Sequence, residues 1–157
     1  MRSAPLAYVT AGTGVATQLA AAAAGADIVD AAIDSMSGLT SQPSMGAIVN
    51  ALAGTPLDTG IDAKHMLTLS NYWEATRDLY APYESNMRYS SSDVYQHEMP
   101  GGQYTNLKFQ AASLGLGDSW GRVQQSYAAA NRALGDIVKV GKEGPDATHN
   151  MGWWTLS

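Results

Sequence analysis

Three groups of side chains could do chemistry, and their spacing decides how much. The histidines, His65, His97 and His149, lie far apart, with no i, i+4 pair and no H-x-H pair. Zinc ligation therefore has no support from spacing, and solvated or internally satisfied imidazoles are the ordinary reading. Asp27, Asp30 and Asp34 are closer together. On a strand the first two point to opposite faces, because side chains alternate. That leaves Asp34 alone at the carboxyl end of its segment, where barrel enzymes carry functional groups; its structural alternative is to cap the loop. Gly12-Thr13-Gly14 opens a helical stretch. A dinucleotide loop needs a third glycine where Thr17 stands, and a strand in front of it. The run reads instead as a helix entry with exposed amides. Serine and threonine are plentiful, yet no G-x-S-x-G elbow occurs. There is no cysteine, so disulfides and thiolate metal sites are excluded. Catalytic, cofactor-binding and metal-ligating residues: none of these sets is legible.

The elements that would position such groups come in two styles. Residues 15–24 read as a helix, with Gly25 where a C-cap glycine belongs. Residues 26–33 (ADIVDAAI) are short and partly β-branched, which predicts a buried strand. A loop over 34–44 and a helix over 45–53, ending at Gly54, complete an α/β pattern. After residue 60 the pattern turns helical. Met66, Leu69, Trp73, Thr76 and Tyr80 form one stripe, with Asp62 as N-cap and Pro82 as the stop. Residues 88–93 (RYSSSD) predict a surface loop. Helices are predicted over 104–114 and from Ser119, the latter with Trp120, Val123, Tyr127, Ala130 and Leu134 on one face. These aromatic stripes read as core rather than as a cofactor box. Residues 141–157 have no period and look unrelated to what precedes them.

Composition narrows the classes further. With 157 residues, 45% hydrophobic and 15% charged, the chain suits one ordinary domain and not a disordered one. A net charge of −5 offers no basic stripe for nucleic acid or for anionic lipid. No apolar run reaches the roughly 18 residues of a membrane span, and the first residues carry no targeting signal.

Several runs resemble the carboxyltransferase domain of the pyruvate carboxylases. They are TAGTGVA (10–16), GADIVDAAIDSMSGLTSQPSMGAIV (25–49), LDTGID (57–62), YAPYES (80–85), SDVYQHEMPGGQYTNL (92–107), LGLGD (114–118) and ALGDIVKV (133–140). The resemblance implies a biotin-dependent ligase fold, a TIM (β/α)8 barrel followed by a funnel of helices. Residues 10–60 would be late strand-loop-helix units of a partial barrel and 61–140 a helical funnel segment, so the chain is α/β in class but mostly helical overall. Residues 1–9 and 141–157 fall outside the match. It implies an activity in which carboxybiotin, on a swinging carrier domain, gives its carboxyl group to pyruvate to form oxaloacetate, a step of anaplerosis and gluconeogenesis. A homotetramer, biotin, a divalent metal (Zn or Mn) and a cytoplasmic or mitochondrial matrix location belong to the full-length family.

Residue by residue, the carry-over is negative. Family members precede TAGTGVA with a His-x-His-Asp segment whose histidines hold the metal; here Leu6 and Tyr8 stand at those positions. The family's catalytic threonine follows IVKV, where this chain has Gly141. A complete barrel needs about 250 residues, so a truncated piece is implied, inactive alone and without cofactor or metal of its own. Two alternatives stand beside this reading: a non-catalytic remnant, and a piece of a related biotin-dependent decarboxylase or transcarboxylase. An open barrel piece is also expected to leave strand edges and apolar helix faces uncovered.

Overall fold

The computed structural model describes residues 9–136. Expectations placed on residues 1–8 and 137–157 lie outside the described residues. The chain divides into two compact units, one through Ser91 and one from Ser92.

In the first unit, helix α1 (Gly14–Ala23) ends as its glycine predicts. Gly25 sits at φ +94°, its N–H bonds to Ala22 O at 3.0 Å, and the Ala26 N–H reaches back to Ala21 O at 3.0 Å. This paired closure uses a left-handed residue that only glycine adopts without strain. The segment that follows corrects the sequence reading, because residues 26–33 do not form a strand. No strand occurs among the described residues. Ala32 makes a single parallel bridge to Ser44, through its N–H to Pro43 O at 2.9 Å and the Met45 N–H to its own carbonyl at 2.8 Å. A parallel strand draws its ladder from a neighbouring strand, and here Ile28 and Ala32 make isolated bridges only. The described fold is therefore mostly helical.

A short 3-10 turn, Asp34–Met36, leads to helix α2 (Met45–Leu52). Helix α3 (Ala63–Arg77) starts where expected, with the Asp62 carboxylate accepting the Lys64 N–H at 2.8 Å. It stops at Arg77, and the chain tightens into a 3-10 segment, Asp78–Tyr83, that contains Pro82. A proline ring clashes with the carbonyl four residues back and restricts the residue before it, so the α-helix ends a turn before Pro82 and Tyr80 leaves the stripe. The stripe is also not core as a whole. Met66 is buried, but Leu69 is 42%, Trp73 40% and Tyr80 57% exposed. α3 packs instead on the Asp34–Met36 turn and on α2.

The second unit is a helical assembly. A short helix α4 (Val94–His97), which the pattern did not announce, leads through Glu98 in a left-handed conformation to α5 (Gly101–Ser113). α5 begins directly after Pro100, three residues earlier than its apolar period suggests, because proline suits a helix entry. A 3-10 turn, Gly117–Ser119, then feeds α6 (Trp120–Ala133). Met99, Leu107 and Tyr127 form the core, with Tyr104 and Trp120 packed against it. Here the stripe is core through Val123 and Tyr127, while Leu134, just past the helix end, is exposed. Among the described residues no helix is long and apolar enough to cross a membrane.

Candidate functional site

Asp34 is placed by the 3-10 turn directly over the N-terminus of α2. Its Oδ1 accepts the Ser44 hydroxyl at 2.8 Å and the Gly46 N–H at 2.7 Å, while Ser44 Oγ accepts the Ala47 N–H at 3.0 Å. Two side chains thus satisfy the first free amides of α2, and the negative charge meets the positive end of the helix dipole. Gly46 is required for this approach. A Cβ there would fall 2.8 Å from Asp34 Cγ, well inside contact distance.

The same Asp34 lies on the rim of an open cleft of about 570 Å³, shared with Ser35, Ser70, Glu74, Arg77 and Glu84. Arg77 is the organising group. Its Nε donates to Glu84 Oε1 at 2.6 Å and its Nη1 to the Ser35 carbonyl at 2.8 Å. The Glu84 hydrogen bond raises the Arg77 pKa above its ordinary value, and the return bond from Arg77 holds Glu84 below the usual carboxylate range. The Ser35 N–H donates to Ser70 Oγ at 3.1 Å. Both Arg77 and Ser70 therefore clamp the Asp34–Met36 turn onto α3. The sequence offered no sign of this clamp, since residues 35 and 77 are linked only by folding.

The other carboxylates are not gathered here. Asp27 and Asp30 are exposed, and among the described residues no three His, Asp or Glu side chains stand close enough to hold a metal ion. The described residues therefore do not fit the family's divalent metal. Leu6, Tyr8, Gly141 and His149 lie outside the described residues. His65 is exposed on the first turn of α3.

His97, in the second unit, is buried. Its Nδ1 accepts the Met99 N–H at 3.0 Å, which puts the ring proton of the neutral form on Nε2, 3.7 Å from Asp93 Oδ1. The ring stacks on Tyr104 at 5.2 Å, and Tyr104 meets Trp120 edge-on at 5.2 Å. Trp120 Nε1 donates to Tyr104 Oη at 3.3 Å, and Tyr127 Oη donates to Gln103 Oε1 at 2.8 Å. Burial, aided by the charge of Glu98, pushes the Tyr127 pKa up to about 12. Glu98 in turn accepts from Asn131 Nδ2. These contacts tie α4, α5 and α6 together. They hold a turn and a core.

Known proteins match this arrangement closely. A family described as a conserved carboxylase domain matches residues 94–141. Over 133 residues, 83% of the chain, the sequence is 59% identical to pyruvate carboxylase 1 of Caenorhabditis elegans and 55% identical to the mitochondrial pyruvate carboxylase of Rattus norvegicus. The chain spans 11% of the length of each. The carboxyl transferase domain of Rhizobium etli pyruvate carboxylase with 3-bromopyruvate superposes with a TM-score of 0.87 at 50% identity, covering 95% of this chain and 24% of that one.

Proposed function

We propose that this chain, which belongs to the pyruvate carboxylase family as a segment of its carboxyltransferase domain, works as scaffold for carboxyl transfer rather than as its catalytic centre. The observation that carries this reading is the 59% identity over 83% of the chain, combined with side chains already committed to structure. Asp34, Arg77 and His97 each hold a helix end, a turn or a core contact. In a complete enzyme the reaction served would be transfer of a carboxyl group from carboxybiotin to pyruvate. The biotin would arrive on a separate carrier domain, within a tetramer, in the cytosol or the mitochondrial matrix. A metal in that enzyme would polarise the pyruvate carbonyl, and its ligands would come from outside the described residues.

Residues 10–60 are read as a late strand-loop-helix part of a barrel, and 61–140 as helices of the funnel beyond it.

The test is a graft. Residues 10–136 replace the matching segment in the full-length Caenorhabditis elegans relative, and oxaloacetate formation is measured. Activity within a few-fold of the parent is expected, because the segment contributes shape and not reacting groups. A folded tetrameric graft with no carboxyl transfer would sink the proposal and favour a remnant that no longer fits its old place. The chain alone is expected to form no oxaloacetate and to retain no stoichiometric metal after dialysis, checked by elemental analysis.

A further inference from the structure

The turn that joins α4 to α5 depends on a side chain that can change its charge. Glu98 sits there at φ +59°, a left-handed conformation that costs every residue but glycine. The residue after it is fixed from within. Met99 is fully buried, and its N–H donates to His97 Nδ1 at 3.0 Å. The bond joins a side chain to the amide two residues on, the same span as an Asx-turn. It needs a lone pair on Nδ1, so it exists only while the ring is neutral. Nε2 already carries the neutral ring's proton, and a second proton must therefore go to Nδ1. Two donors would then face each other in a buried space.

The groups around the ring pull both ways. Asp93 Oδ1 lies 3.7 Å from Nε2 and favours a charged ring, but the aspartate side chain is 46% exposed, so solvent screens the attraction. The other oxygen of Asp93 accepts from Gln124 of α6 at 3.4 Å. Glu98 is exposed and accepts from Asn131 of α6. From α5 come Tyr104, stacked on the ring, and Lys108 one turn further along. From α6 comes Tyr127, whose phenol keeps its proton throughout the range in which an imidazole titrates, while Arg122 and Arg132 are exposed. The contact that a proton would break is buried, and the one that it would strengthen is half in solvent.

We propose that His97 is an acid-sensitive latch on the α4–α5 turn: neutral, it holds the Met99 amide and keeps Glu98 left-handed, and protonated, it releases both and loosens the entry to α5. The latch is closed where an imidazole is neutral and is lost as pH falls through the range in which it gains its proton, roughly pH 5 to 8. The test is an NMR titration of the 157-residue chain. Near the upper end of that range the His97 ring nitrogens should report a proton on Nε2 alone. As pH falls, the protection factor of the Met99 N–H should drop about tenfold, the worth of one such hydrogen bond, in step with protonation of His97. Amides in the middle of α3 should keep theirs. His97→Asn offers an acceptor that reaches the same amide and does not titrate, so its Met99 protection should not vary with pH. Asp93→Asn removes the charge that favours the protonated ring and should move the release to lower pH, an effect that a purely structural role for His97 would not produce. Met99 protection that survives protonation of His97, or that falls equally in His97→Asn, would overturn the proposal. So would release at an unchanged pH in Asp93→Asn, a result that decides the matter even where His97→Asn does not fold.

Discussion

The two units solve the same problem, how to hold helices together, by different means. The unit from Ser92 closes a small core: Met99, Leu107, Ala111, Val123 and Tyr127 are all at most 2% exposed, and its buried polar side chains His97 and Asn131 both have partners. The unit through Ser91 buries Val9, Ile48, Val49 and Met66 and is also held by polar clamps, from Asp34 on α2 and from Arg77 and Ser70 on the turn, while other large apolar side chains, Tyr72 and Trp73 among them, face outward. It also buries Gln18 at 1% exposure with neither amide atom hydrogen-bonded. One unit has an interior of its own. The other leaves several aromatic side chains exposed.

The largest expected effect lies in the closed core. Leu107→Ala removes a side chain at the centre of that cluster and should cost about 3 kcal/mol, seen as lost hydrogen-exchange protection across 92–136. A change under 1 kcal/mol would show that the cluster is not what closes this unit.

In the clamped unit the sensitive position is polar. Gly46→Ala drives a methyl group into the Asp34 carboxylate and should cost about 2 kcal/mol by urea titration. Asp34→Ala should cost about as much as a lost cap, near 1 kcal/mol. The double variant should cost less than the sum, because removing the carboxylate also removes the clash. Simple additivity would break the assignment of Asp34 to the helix end.

Alkaline pH sharpens the contrast by acting on the closed core. Tyr127 has its pKa near 12 in the folded protein, against about 10 in an unfolded chain. A raised folded value means that its contribution is complete below pH 10 and is lost as pH rises through 12. Up to about 2 kcal/mol should disappear over that window. Tyr127→Phe, followed by circular dichroism against pH, should flatten the loss; an unchanged profile would point to other groups.

The smallest effect should be a gain. Gln18→Met replaces two unpaired buried polar atoms with an apolar side chain of similar length, and should stabilise by about 1 kcal/mol. Destabilisation on thermal melting would mean that a polar partner meets Gln18 in solution.

How much of this was legible in the sequence varied with the range of the interaction. The Asp62 cap and the Gly25 closure were read correctly, since both depend on a few adjacent residues. The strand over 26–33 was not, because a strand exists only through partners and this segment makes isolated bridges only. The α3 stripe was found, yet periodicity shows only that an apolar face exists. Its partner decides which part is buried. For the candidate site, spacing could not join Ser35 to Arg77 or Asp34 to Gly46.

Amino-acid order by itself determined the helix ends and the family. Capping needs only near neighbours, and long runs such as HEMPGGQYTNL identify kinship without any fold in view. Tertiary structure alone decided that Asp34 closes a helix end and that His97 accepts from a backbone amide. It also turned Tyr72 outward while Tyr127 went inside. The reason is physical. A side chain's charge and proton position follow from the groups within a few ångströms of it, and for these residues the folded chain brings those groups together.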